Sequence, residues 1–386
     1  MPWQERSIVT VRKEFVTRAT QEGANIAALC RQYEISRKTG YKWLDRAATA
    51  EEPVFENRSR TPHHHPRRSP PEVEAAVLAM RDRYPTWGGR KLEVKLRETG
   101  MASVPRPSTI TVILQRHGRI APRVRHPPAT RRFEHALPHD LWQMDFMGHR
   151  DLVVAGRVHP LTILDDHSRV LLNLTASPHE RLEPVWQRLL ACFARYGLPR
   201  AILTDNGPPW GSSVGRGITR IEARLLRLGI DLWHGRPAHP QTQGKVERIH
   251  GTISVDVFGT RTFRDLVAAQ RAFDTFRDIY NLERPHEELG YAAPMSRMLP
   301  SPRSLPTVLP DPVYAPDDAV RRVRSQGAIG FAGRSWLVSR GLIGEHVAVR
   351  PTAKDGVYTV HFCHQQVGHI SLHRPEKGVT YVSEHL

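Results

Sequence analysis

Two stretches without hydrophobic periodicity, residues 49–70 and 300–316, interrupt this chain, and no single hydrophobic core can run through both. The first combines acidic, basic and proline residues with His63, His64 and His65; the second is dense in proline. Before and just after the first break the apolar residues recur at helical spacing. Between the breaks, strand-like runs alternate with helical ones, and beyond the second only short apolar runs remain. With 386 residues, the chain is long enough for two or three domains. Three adjacent histidines cannot easily face one ion and have no partner ligand at finger-like spacing, so residues 49–70 read as a basic linker.

Charge follows the same division. Lys and Arg outnumber Asp and Glu by 56 to 39, and residues 1–137 hold +12 of the net +17. A polyanion partner is expected, with its grip in the first third. There Ile8, Val11, Phe15 and Ala19 mark one helix, Asn25 caps a second, and Ser36 caps a third carrying Arg37, Lys38 and Lys42. Helix, short turn and basic helix form a helix-turn-helix, whose second helix reads the major groove. A second three-helix unit is expected over 71–118, with Ser108 capping its last helix. Residues 119–136, rich in Arg and Pro, suit an extended arm along phosphates.

Three scattered cysteines, Cys30, Cys192 and Cys363, exclude a disulfide framework. Neither a membrane-length apolar run nor a signal-peptide pattern is present, so a cytoplasmic protein with no membrane partner is expected.

From Leu141 the pattern predicts an α/β sheet with helices on both faces. Asp145 interrupts the apolar run LWQMDFMG, Asp205 ends the run AILTDNG, and Glu247 falls in a helix after Pro240. A carboxylate in an apolar strand needs a cation or a proton. Three of them at one sheet edge could hold a pair of Mg²⁺ ions, the arrangement that serves displacement at phosphorus. Asp205 also stands in a turn tripeptide, Asp-Asn-Gly. Asp165 and Asp166 form a rival pair, which reads better as a turn paired with Arg169.

WQMDFMG, LTILDDHSR, LTDNGPPW, GRPAHPQTQGKVERIHGT and YNLERPHEELG, in this order, resemble the integrase catalytic core of bacterial insertion-sequence transposases, nearest the four-eighty-one family and related to retroviral integrases. The resemblance implies a ribonuclease H-like fold and an Asp-Asp-Glu triad of Asp145, Asp205 and Glu247, which would bind two Mg²⁺ or Mn²⁺ ions. The acids are 60 and 42 positions apart, the longer second interval falling around the Gly-rich GSSVGRGITR. Lys245 and Arg248 are expected to meet DNA phosphates. Tyr280, Asn281, Arg284, Pro285 and His286 match the core's terminal motif, expected to pack the last helix onto the sheet. The His-His-Cys-Cys zinc domain of retroviral relatives is absent.

The expected order is a helix-turn-helix over 1–48, linker 49–70, second helix-turn-helix 71–118, basic arm 119–136, catalytic core 137–299, linker 300–316 and a small β-barrel over 317–386. The function implied is a nucleoid-associated DNA transposase, at least dimeric on DNA, that binds terminal inverted repeats, cleaves 3′ ends and joins them to target DNA. A ribonuclease H-type nuclease, or a non-catalytic regulator derived from a transposase, remains the alternative.

Overall fold

The computed structural model describes residues 7–49, 55–57, 68–120, 134–211, 217–235, 244–259 and 261–381. The chain divides into two compact units, Met1–Arg68 and Ser69–Leu386. About two thirds of the expected first linker, including its three histidines, and most of the basic arm lie outside the described residues.

In the first unit, α1 (Ile8–Ala19), α2 (Ile26–Gln32) and α3 (Arg37–Thr49) close around Phe15, Val16, Cys30 and Trp43. The expected caps are present: Asn25 Oδ1 accepts from the Ala28 amide at 3.0 Å and Ser36 Oγ from that of Thr39 at 3.1 Å. Gly40 lets α3 approach α2, since a Cβ there would lie 2.6 Å from Cys30 Sγ. Arg12 and Arg46 stack over Trp43, while Arg37, Lys38, Tyr41 and Lys42 face solvent.

The second unit opens with α4 (Pro71–Arg83), α5 (Gly89–Glu98) and α6 (Pro107–Arg116), packed around Val77, Trp87, Leu92, Ile110 and Leu114. Ser108 does not cap α6. The helix starts at Pro107, whose fixed φ suits the first turn, behind Arg106, which makes no side-chain cap.

The central sheet orders its strands β4 (Leu171–Ser177), β3 (Arg157–Asp165), β1 (Leu141–Phe146), β5 (Ala201–Thr204) and β6 (Asp231–His234), with short β2 (Arg150–Asp151) also pairing β3. β1–β3 and β3–β4 run antiparallel; β1–β5 and β5–β6 run parallel. On one face, Trp142, Met144 and Ile202 pack against α7 (Leu182–Tyr196) and α8 (Arg220–Arg227). On the other, Leu164 and Leu174 pack against α9 (Gly244–Ile253) and α10 (Leu266–Asp278). The result is a mixed sheet with helices on both faces, the α/β layering expected for this region. Both last helices run on into π-type turns, Ser254–Phe258 and Ile279–Glu283.

Among the described strands β4 pairs with β3 alone, and side-chain amides serve its other edge. Asn281 accepts from the Leu171 amide at 2.8 Å and donates to its carbonyl at 2.9 Å. Gln270 accepts from the Ala176 amide at 2.8 Å and donates to Leu174 O at 3.1 Å.

The second break is no free linker. Arg303 donates to the carbonyls of Pro199, Leu228 and Gly229 at 2.6–2.8 Å, and Leu305 and Leu309 pack on the core. Gly197, with φ 82°, ends α7 where a Cβ would meet Ser301 at 2.6 Å. Proline-rich composition here produces a strap: fixed φ angles lower the entropy lost when it lies down.

The expected barrel is also corrected. β7 (Ala319–Arg322), β10 (His346–Pro351), β11 (Val357–Phe362), β12 (Gln365–Ser371) and β13 (Thr380–Tyr381) form an open antiparallel sheet ordered β13-β12-β11-β10-β7. β8 (Ala328–Phe331) and β9 (Arg334–Leu337) form a separate hairpin, and no pair among the described strands closes the sheet. Ile218, Ala223 and Leu226, around α8, complete the hydrophobic core beneath it, so burial the sheet would otherwise gain by closing on itself comes from the neighbouring helix.

Candidate active site

β1 and β5 pair in parallel with Leu141 opposite Ala201 and Gln143 opposite Leu203, an offset of 60. The interval between Asp145 and Asp205 is the same, so the register, carried one residue past the end of β5, brings the two aspartates level on one face of strands about 4.8 Å apart. Asp145, at the end of β1, has 21% of its side chain exposed. Asp205, just past β5, is exposed, and its Oδ1 accepts from the Gly207 amide at 3.1 Å. The Asp-Asn-Gly turn and a carboxylate facing Asp145 are therefore compatible roles of one residue.

Glu247 stands exposed on α9, three residues before His250, so the two neighbour each other on the helix. The buried stripe Val246, Ile249 and Ile253 holds α9 against the Asp145 face of the sheet. Burial, then the charge of Asp205, with smaller contributions from Glu180 and Glu247, pushes the Asp145 carboxyl up to about 7. Among the described residues, no three of His, Cys, Asp and Glu stand close enough to hold an ion together.

His250 is a neighbour whose contacts sequence reasoning did not supply. Thr162, opposite Asp145 on β3, donates its hydroxyl to Asp145 O at 2.9 Å, and its oxygen lies 2.8 Å from His250 Nε2. With that hydroxyl proton already used, Nε2 must donate, which leaves Nδ1 with its lone pair, 3.9 Å from Asp145 Oδ2. That spacing resembles an ion pair, yet burial holds the imidazole near pKa 4, so at neutral pH it is a neutral neighbour. The spacing of three from Glu247 was the available signal; Glu180 offered none.

The rival pair is structural. Asp165 and Asp166 are both fully buried in the turn after β3. Asp165 accepts from the His139 and Ser168 amides and the Ser168 hydroxyl at 2.6–2.8 Å. Arg169 pairs with Glu134 at 2.9 Å rather than with either aspartate side chain. Lys245, expected at a phosphate, instead places its ammonium 2.6 Å from Asp166 Oδ1 with 14% of its side chain exposed. Arg248 is 60% exposed, 3.8 Å from Glu288. The terminal motif packs as expected: Tyr280 and Asn281 are buried, and Arg284 pairs with Asp256.

Comparison with known proteins gives this architecture its relatives. Two profiles described as integrase core domain match residues 135–240 and 228–294. The IS481 family transposase C-terminal domain matches residues 318–377, and a homeodomain-like domain matches residues 39–114, from within α3 to the end of the second helical unit. An uncharacterised 39.2 kDa protein of insertion element IS476 from Xanthomonas euvesicatoria is 31% identical over 162 residues, which cover 41% of this chain and 44% of that protein. The Gag-Pol polyprotein of baboon endogenous virus is 31% identical over 192 residues, 47% of this chain and 10% of the polyprotein. The chain thus spans less than half the length of either relative. The HTLV-2 integrase catalytic core domain in complex with magnesium aligns over 42% of this chain and 99% of that one, at 18% identity and a TM-score of 0.32.

Proposed function

Because the chain carries an integrase core followed by the C-terminal domain of IS481-family transposases, we propose that it is a DNA transposase. In this reading it binds terminal inverted repeats through its helix-turn-helix modules, cleaves at the 3′ ends and joins them to target DNA. The observation that carries the reading is the parallel register of β1 on β5, whose offset of 60 matches the Asp145–Asp205 interval, with α9, which bears Glu247, packed against the same face.

Asp145, Asp205 and Glu247, whose like charges repel in the metal-free protein, would be drawn together to hold the divalent cation. Their donors are hard oxygens, and Asp145 has its pKa raised by burial and by like charges, a situation a cation relieves. Bound there, Mg²⁺ supplies Lewis-acid activation of the attacking oxygen and charge stabilisation at phosphorus, with a pair of ions in the full site. The protein's part is placement. β1 and β5 fix Asp145 and Asp205 at one height, the Asx turn through Gly207 orients Asp205, and α9 carries Glu247. Neutral His250, donating to Thr162, adds no positive charge that would compete with a metal for the carboxylates. Arg37, Lys38 and Lys42, exposed on α3, suit groove and phosphate contacts in the first unit, and exposed Arg248 suits a phosphate near the site.

Two element ends must meet, and each site acts on one end at a time, so the active species contains at least two copies. The test incubates labelled inverted-repeat DNA with the protein, Mg²⁺ and a target plasmid. Joined products are expected; cleavage of RNA–DNA hybrids alone would make it a nuclease, and binding without products a regulator. Mixing a chain lacking residues 1–48 with an Asp145→Asn chain should restore some joining, whereas no rescue between two folded chains would argue for a monomer.

A further inference from the structure

Asp166 joins the two elements that carry the outer pair of acids. Its Oδ1 accepts from Gln143 Nε2 at 2.8 Å and stands 2.6 Å from Lys245 Nζ, while its Oδ2 accepts from the His135 amide at 2.8 Å. Lys245 also donates to the Asp166 carbonyl at 3.2 Å. Gln143 lies two residues before Asp145 on β1 and, by strand alternation, on the same face. Lys245 lies two residues before Glu247, in the first turn of α9.

A second bridge runs parallel to this one, from the Asp145 carbonyl through Thr162 to His250. The two meet α9 at positions five apart, on either side of its buried stripe. Together they fix the helix against translation along the sheet and rotation about its own axis. Those are the movements that would change the distance from Glu247 to Asp145.

We propose that the buried Gln143–Asp166–Lys245 bridge is a positioning device that holds the backbone at Glu247 within reach of Asp145, so that side-chain rotation alone brings the two acids onto a cation. Neither Asp166 nor Lys245 touches substrate; each acts through the element it holds. The inference rests on the reading of Asp145, Asp205 and Glu247 as the metal-binding acids. Charge makes the bridge specific: a carboxylate this deeply buried is costly without its ammonium partner, so the arrangement that pairs them is strongly preferred over shifted ones.

The test compares the full-length parent with Lys245→Met, Asp166→Asn and the double variant Asp166→Asn/Lys245→Gln. Mn²⁺ binding to the DNA-free protein, followed by electron paramagnetic resonance, is measured beside repeat binding and thermal unfolding. Each single variant is expected to bind Mn²⁺ at least tenfold more weakly and to join DNA correspondingly less at limiting metal, with repeat binding within twofold of the parent. High Mn²⁺ should recover much of the joining. The double variant, which keeps a neutral hydrogen-bonded bridge, should recover Mn²⁺ affinity over either single and carries the comparison should a single variant fail to fold. Parent-like Mn²⁺ affinity in a folded single variant, or a folded double variant no tighter than the singles, overturns the bridge. Glu247→Gln is the control: if it leaves Mn²⁺ affinity and joining intact, the assignment of the acids fails, and the bridge falls with it.

Discussion

At the turn after β3, Asp165 and Asp166 are fully buried, and each accepts at least three hydrogen bonds or ion-pair contacts. Where β1 and β5 end in the same sheet, Asp145 and Asp205 face one another with few partners. The same residue type thus occurs in two environments three residues of strand apart, about 10 Å. In the turn, backbone amides and Lys245 replace the water lost on burial, so the charge is an asset of the fold. At the strand ends the protein provides like charges, and the folded state favours protonated Asp145. A deeply buried acid whose two oxygens both accept hydrogen bonds is architecture; on the function proposed above, a half-buried acid facing other acids is kept for a cation.

The widest separation between the two regions should appear in joining. Asp145→Asn, Asp205→Asn and Glu247→Gln are each expected to lower it by about 100-fold or more, since a ligand to a catalytic cation is lost, with repeat binding and unfolding little reduced. Retained joining in a single-turnover assay with any of them would move that residue to the structural class. Asp165→Ala should show the converse pattern. It strands the buried His139 and Ser168 amides, and about 3 kcal/mol of stability should disappear in a urea titration. A parent-like midpoint would break the distinction.

The smallest effect sharpens the contrast through pH. Because the folded-state pKa of Asp145 is about 7, against an ordinary value of 3.8, its contribution is fully present below about pH 4 and is lost as pH rises through 7. Metal-free parent protein should therefore lose stability relative to Asp145→Asn across that window, by at most about 1.4 kcal/mol per pH unit. Parallel stability curves from chemical denaturation would mean that the carboxyl ionises as freely folded as unfolded.

Much of this was legible in the sequence where the cause was local. The caps at Asn25 and Ser36 and the periodicity of α1 depend on neighbours in the chain. What escaped depends on partners distant in sequence. Lys245 read as a phosphate contact because nothing local shows that Asp166, on a different element, reaches it first. Arg169 sits beside two aspartates yet pairs with Glu134. Residues 300–316 had a linker's composition, and only the carbonyls of Pro199, Leu228 and Gly229 reveal why Arg303 pins them down. The C-terminal sheet did not need to close because α8 supplies part of its core.

The amides of Asn281 and Gln270 that finish the edge of β4 have a consequence for the order of synthesis. Strands β1, β3 and β4 leave the ribosome early, whereas α10 and the turn carrying Asn281 follow only after β5, α8, β6 and α9. At about 5–20 residues per second, the interval from Ser177 to Asn281 lasts roughly 5 to 20 seconds. During that time the backbone groups of Leu171, Leu174 and Ala176 can recruit a strand from another nascent chain. The hazard of this fold is therefore one of timing, greatest when many ribosomes crowd one message and ended, for each chain, when two carboxamide side chains arrive.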